Sequence, residues 1–304
     1  MTPIIDGRNE DYIKYFSIED YVNKIKLEPY VLEHLEETNK SFNEYLTTLS
    51  EYDQDYIVNY WIYLLYRELK YTQAIEEKEY LGFDIEKNDL FFNTLAISNN
   101  RINELHNVLT DGEYEDHYRT IPIYVGRNIN GNEEIIWRGA EPEDVERFMN
   151  DFIKFYKRNS TSLLDSNPFL KSALVHLLFV KIHPFTDGNG RTARMIQNIK
   201  FTDIINKIYG MRLKISPLNL SRSIMVNKLT YVNILNNIYF DIEHDNNKMI
   251  NKWFDFMLNM VDEQLYMAMN KIGTLDDKYL KDLKEIKEDE TNQKINKMRI
   301  RLPN

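Results

Sequence analysis

His183-Pro184-Phe185-Thr186-Asp187-Gly188-Asn189-Gly190-Arg191-Thr192-Ala193-Arg194 is the stretch on which the fold turns. Just upstream, Asn167 followed by Pro168 predicts a helix start, with Asn167 as N-cap and Pro168 where a missing N–H costs nothing. Leu170, Ala173, Leu174, Leu177 and Leu178 give that helix its apolar face. Pro184 cannot continue it, and Gly188 and Gly190 oppose helix. Downstream, helix is expected to resume around Arg191 and run to Gly210, a C′ glycine. The stretch is therefore a helix–loop–helix junction, with its glycines ahead of the second helix.

This junction also concentrates chemistry. Successive amides at Gly188, Asn189 and Gly190 can form an anion-binding nest, and the helix dipole behind them adds partial positive charge. Glycine suits the loop because the turn is expected to need positive φ and close approach of a ligand to the backbone. Arg191 and Arg194, three apart on one helix, can both fork onto phosphate oxygens. Asp187 stands beside the anion site, where a carboxylate could hold Mg²⁺ against phosphates. His183 is the group there with an ordinary pKa near ~6.5, suited to accepting a proton from a hydroxyl. A lone histidine is most often structural, as expected here for His106 and His176. Eight defined positions in twelve are another matter, with a chance probability on the order of 10⁻¹⁰ per start site.

Working outward, most of the chain reads as helix. Residues 53–80 carry dense apolar positions, as in a buried helix or helix pair. Residues 141–156 are amphipathic, with Val145, Phe148, Met149, Phe152 and Tyr156 on one face and Pro142 in the first turn. Residues 119–126 and 134–138 are β-rich and flank Asn128-Ile129-Asn130-Gly131-Asn132, which predicts a hairpin. Pro122 would make its strand an edge. Residues 276–304 read as an exposed charged helix and a loose basic tail.

Composition narrows the classes. The chain has 304 residues, 43% hydrophobic and 28% charged, with no cysteine and a net charge of −10. Disulfides, thiol nucleophiles and thiolate metal sites are excluded. No apolar run reaches the ~18–20 residues that span a bilayer, and residues 1–6 lack the form of a signal peptide, so no membrane and a cytoplasmic location are expected. Global acidity argues against nucleic acid as a partner. Yet residues 181–200 hold Lys181, Arg191, Arg194 and Lys200 against Asp187 alone. One basic pocket in an acidic protein suits a small anion.

Residues 183–194 resemble the signature of Fic-domain proteins, His-x-Phe-x-Asp/Glu-Gly-Asn-Gly-Arg-x-x-Arg, at every defined position. The approach from Ala173 to Ile182 is also similar, with Val180 where many members carry Glu. Leu105-His106, the 119–125 segment, and Ser216-Pro217-Leu218-Asn219-Leu220-Ser221 with Tyr231 resemble further landmarks. The resemblance implies a mainly α fold, a helical bundle with a small β-hairpin flap. It implies a protein adenylyltransferase that moves AMP from ATP, with Mg²⁺, to a Tyr, Thr or Ser hydroxyl of a target protein. His183 would be the base, Asp187 the metal ligand, and Gly188, Asn189, Gly190, Arg191 and Arg194 the nucleotide site. Ile121, Ile123 and Tyr124 of the flap would dock the target by strand addition.

Many relatives carry Ser/Thr-x-x-x-Glu-Gly/Asn on a helix whose Glu occupies the second Arg of the motif. Thr72-Gln73-Ala74-Ile75-Glu76 is similar, with Glu77 where Gly or Asn is usual; Thr47 and Glu51 also fit the spacing. The organisation expected is an N-terminal helical region with the inhibitory helix at 1–94, a core at 95–262, and a charged helix and tail at 263–304. Removal of AMP by the same site, a phosphotransferase, and a nucleotide-binding or toxin–antitoxin module are the alternatives. A homodimer is left open.

Overall fold

The computed structural model describes residues 17–78, 96–113, 117–129, 132–238 and 247–271. Among these, the chain forms α1 (Ile18–Lys24), α2 (Pro29–Leu49), α3 (Gln54–Ile75), α4 (Asn99–Leu109), β1 (Tyr124–Ile129), β2 (Asn132–Arg138), α5 (Pro142–Lys157), α6 (Leu163–Ser166), α7 (Pro168–Ile182), α8 (Asn189–Tyr209), α9 (Leu220–Val226), α10 (Lys228–Asn236) and α11 (Asn247–Lys271). The fold is mainly α with one two-stranded antiparallel sheet. The tail expected at 276–304 lies outside the described residues.

The predicted helix starts obey their local signals. Asn167 accepts from the amides of Phe169 (3.0 Å) and Leu170 (3.1 Å), with Pro168 opening α7. Asp53 caps α3 by accepting from Tyr56 N at 2.7 Å. Helix α5 buries the predicted stripe of Val145, Phe148, Met149, Phe152 and Tyr156, and adds Phe155.

Helix α7 is buried on every side, the pattern of a central helix. Its polar residues are therefore partnered. Lys171 Nζ reaches Asp165 Oδ1 (2.6 Å) and Phe155 O (2.8 Å), and Lys181 Nζ donates to Leu235 O at 2.6 Å. Helix α8 packs along α7, α3 and α4 pack on α8, and α11 lies across α2 and α7. Trp253 ties α11 to the central helix by donating to Ala173 O at 3.0 Å. Helix α11 runs unbroken through the boundary expected at 262/263.

His34 joins α2 to α11. Its Nδ1 is 2.7 Å from Asp255 Oδ1 and its Nε2 is 2.8 Å from Asp262 Oδ2. Burial alone would lower its pKa, but the two carboxylates outweigh burial and raise it. A raised histidine pKa adds stability that is full below about pH 6.5 and fades as pH rises through the folded value. Because both carboxylates are over a third exposed, we expect His34→Ala to cost only about 1 kcal/mol at pH 5.5. The cost should shrink at pH 9; urea unfolding at the two pH values measures it, and a cost that grows with pH would refute the assignment.

Two boundaries differ from the sequence expectation. Helix α8 begins at Asn189 rather than near Arg191, since Gly190 falls in the first turn, where amides need no intrahelical partner. Strand β1 begins at Tyr124, not Arg119, so Pro122 lies outside the sheet. The strands pair from Tyr124↔Arg138 to Ile129↔Asn132, with an irregularity between Val125 and Gly126. The turn residues Asn130 and Gly131 lie outside the described residues.

Candidate active site

His183 ends α7 in the left-handed region, at φ 54° and ψ 60°. Histidine tolerates this region better than most side chains, though at a cost that packing must offset. Its Nδ1 lies 3.1 Å from Val180 O, which can only accept, so Nδ1 carries the proton and Nε2 the lone pair. Burial pulls the imidazole pKa down to about 4, and the nearby Arg119 adds to the fall while the Val180 bond, Glu76 and Asp187 oppose it. The ring is therefore neutral at neutral pH and able to accept a proton.

The loop after His183 is fixed from within. Both ends of the Asn189 amide are spent on Phe185, accepting from its N (2.9 Å) and donating to its O (2.8 Å). His106 stacks on Phe185 with ring centres 3.7 Å apart and places Nε2 2.9 Å from Asp187 O. His106 and His176 are thus buried and partnered, His176 between Gln197 and Tyr231. Gly188 has φ 75°, and a Cβ there would also meet Thr110 Cγ2 at 2.5 Å. Gly190 does not have positive φ; it lacks a Cβ for another reason. The carboxylate of Glu76 lies directly against it, together with Arg194 NH1.

Glu76 is the C-cap of α3 and its Oε1 sits 2.7 Å from Arg194 NH2. Arg194 is 2% exposed and also donates through Nε to Thr72 Oγ1 (2.7 Å) and through NH2 to Thr72 O (3.0 Å). Burial would lower the guanidinium pKa, but Glu76 and Tyr231 outweigh it and raise it. A second carboxylate, Glu68, lies buried near Arg194 and accepts from Ser221 N at 3.0 Å and from its hydroxyl. Thr47 instead bonds Asn43 O within α2 and Glu51 is exposed.

Arg191 is turned onto the protein. Its NH1 meets Gln73 Oε1 (3.1 Å) and Leu109 O (3.0 Å), and its NH2 is 3.3 Å from Asp187 Oδ2. Both motif arginines therefore face the last turn of α3. The amides of Asn189, Gly190 and Arg191 precede the first intrahelical bond of α8, from Thr192 N to Gly188 O. Asp187 is 41% exposed and accepts from Gly188 N at 2.7 Å. Among the described residues no three His, Asp or Glu cluster to hold a metal unaided. Asp187 alone fits the sparse protein share of a Mg²⁺ site completed by phosphate oxygens.

The end of α3 explains the departure at Glu77. Lys78 N bonds Gln73 O (3.1 Å) and Glu77 N bonds Ala74 O (3.1 Å), a Schellman end with Glu77 at C′ and φ 58°. That position favours Gly or Asn. Glu77 pairs with Lys228 at 2.9 Å, and this bond lowers its pKa. Relief of the left-handed strain should outweigh this exposed pair, so Glu77→Gly is expected to raise the unfolding midpoint by about 2 °C. A fall measured by calorimetry would count against the strain argument.

Among the predicted docking residues, Ile121 and Tyr124 are exposed by 55% and 47%, and Ile123 is half-buried. Sequence reasoning missed Arg119 as a functional candidate. It is buried, and its guanidinium holds the carbonyls of His183, Ile121 and Ala140. A basic side chain in a β-rich segment gives no sign of such distant partners.

The Fic/DOC family model matches residues 96–199, the span from α4 through the loop into α8. Residues 96–199 are thus similar to a Fic domain. The chain is 37% identical over 81 residues to protein adenylyltransferase fic-1 of Caenorhabditis elegans, covering 27% of this chain and 14% of that protein. Protein adenylyltransferase Fic of Drosophila melanogaster is 31% identical over 129 residues, 40% of this chain and 24% of its own length. The matches thus span under a quarter of these relatives. A Fic family protein from Desulfovibrio desulfuricans G20 shares the fold at a TM-score of 0.60 and 17% identity, over 83% of this chain and 78% of that one. C. elegans Fic-1 does so at 0.53 and 18%, over 81% and 74%. No helix among the described residues is long and apolar enough to cross a membrane.

Proposed function

We propose that this chain transfers AMP from ATP to a side-chain hydroxyl of a target protein, and that Glu76 restrains the reaction. The observation that carries this reading is His183 within electrostatic reach of Glu76 and Asp187, on the loop that leads into the helix whose buried Arg194 is already paired with Glu76. The matched relatives named as protein adenylyltransferases support it. In this reading the target hydroxyl gives its proton to His183 Nε2 as its oxygen bonds the α-phosphorus. The bond from that phosphorus to the bridging oxygen breaks, and pyrophosphate leaves. The amides at the start of α8 face the charge that develops on the α-phosphate oxygens. Asp187 would hold Mg²⁺, which neutralises phosphate charge when bound. Arg194 would take the γ-phosphate, and Arg191 the β-phosphate side after leaving Gln73. Ile121, Ile123 and Tyr124 would seat the target segment.

The carboxylate of Glu76 against Gly190 and Arg194 occupies the end of α8 that attracts anions. It therefore competes with phosphate. The same carboxylate beside the loop also favours a second reading, in which Glu76 orients a water that removes AMP from a modified target.

The test supplies wild type and Glu76→Gly with ATP labelled at either the α- or the γ-phosphate, together with a cell lysate. Protein labelled from the α-phosphate, with pyrophosphate released, is the expected result. Label arriving only from the γ-phosphate would replace AMP transfer by phosphotransfer. Loss of label from a pre-modified target, dependent on Glu76, would favour the second reading.

A further inference from the structure

The three nitrogens of the Arg119 guanidinium reach three different backbone segments. Nε donates to His183 O at 2.7 Å, NH1 to Ile121 O at 2.8 Å, and NH2 to Ala140 O. The first segment is the loop that carries the histidine; the others are the two roots of the β1–β2 hairpin. The backbone repeats the connection. Arg119 N donates to Pro184 O (2.9 Å), Gly139 N to Ile123 O (3.2 Å), and Ala140 N to Ile182 O (3.3 Å).

Gly139 shows how tightly these parts meet. A Cβ there would stand 2.8 Å from Arg119 NH2 and 3.3 Å from His183 Cβ. The return leg of the hairpin thus passes directly over the histidine, and the guanidinium fills the space beside it. Only arginine presents donors in a planar fork able to reach three carbonyls at once; a lysine ammonium is a single point.

We propose that Arg119 is a positioning residue that locks the hairpin roots and the His183 carbonyl into one rigid unit, so that a segment docked on the hairpin meets Nε2 in register. The proposal rests on the AMP-transfer reading for its consequence, though not for its geometry. A bland alternative is a clip that merely stabilises the fold. The two differ in what they leave intact. Arg119 touches none of the residues at the phosphate end of the site, so ATP binding should survive its replacement while transfer suffers.

The experiment uses the full chain with Glu76→Gly as parent, α-labelled ATP, and a cell lysate as acceptor. Arg119→Lys keeps the charge and loses the fork; Gly139→Ala keeps the arginine and displaces it. In both, kcat is expected to fall by about 10²-fold, the loss that follows a misplacement near 1 Å, with the KM for ATP within about twofold. Rates within threefold of the parent in Arg119→Lys would overturn the proposal. So would a parallel loss of ATP binding, which would mark a general collapse. If the parent itself transfers nothing, the functional reading fails and amide hydrogen exchange decides the positioning role. Faster exchange at Arg119, Gly139 and Ala140 together in Arg119→Lys supports the locked unit; unchanged exchange there overturns it.

Discussion

Glu76→Gly is expected to raise AMP transfer from ATP on the order of 10²-fold over wild type. To bind as proposed, the γ-phosphate must displace the Glu76 carboxylate from Arg194, where the contact is 2.7 Å and the guanidinium is 2% exposed. Glu76 is itself 33% exposed, so water screens part of the attraction. A partly buried charge-assisted bond of this kind is worth about 1.5–3 kcal/mol, and each 1.36 kcal/mol is a factor of ten. Repulsion between carboxylate and phosphate adds to the penalty. Initial rates with α-labelled ATP measure the effect, and titration with a fluorescent ATP analogue separates binding from chemistry. Glu76→Gln, which keeps the volume and loses the charge, should fall between. Equal rates for wild type and Glu76→Gly would remove the restraint from the proposal.

In that activated background, His183→Ala should lower transfer by about 10³-fold while ATP remains bound. The prediction follows from the tautomer: with Nδ1–H committed to Val180 O, Nε2 is the ring's acceptor. Removing the imidazole leaves the target hydroxyl without a base but takes nothing from the phosphate end of the site. The pH dependence carries the same assignment. Burial holds the His183 pKa at about 4, so the group is deprotonated across the neutral range. The rate should therefore stay level as pH falls through 6.5 and drop only as pH nears the folded value. An acid limb centred near 6.5 would mean the ring is solvated in the working enzyme. Full activity in His183→Ala would assign the base elsewhere.

How far sequence reached depended on whether a signal was local. The Asn167–Pro168 start, the Gly210 stop and the α5 stripe are written within a turn or two of where they act, and each reappears in the fold. The twelve-residue junction was legible for the same reason. What escaped was long-range. Nothing near Arg191 announces that its guanidinium lies on Gln73, which is 118 residues away. Gly190 looked like a turn glycine, yet it serves as a gap for the carboxylate of Glu76. Residues 119–123 have strand composition, but the side chain and amide of Arg119 are committed to the His183–Pro184 loop, so pairing begins only at Tyr124. The weak Thr72–Glu76 pattern is preferred over Thr47–Glu51 in the sequence for Ile75 ahead of the Glu, as in relatives, and for its place on a helix upstream of the core; Thr72 and Glu76 meet Arg194, and Thr47 bonds within its own helix.

The last turn of α3 has a mechanical consequence. Glu76 N–H bonds to Gln73 O at 3.0 Å, so Thr72 O accepts from Arg194 instead. Arg194 thus hangs from two residues one turn apart, and only the outer one, Glu76, is at the frayable end of the helix. Unwinding that single turn would carry the carboxylate away while Thr72 kept the guanidinium aimed. On the proposed reading, release needs no displacement of the helix as a body. Its threshold is set by how firmly one turn is closed, at a junction where Glu77 holds a conformation that glycine would hold more readily.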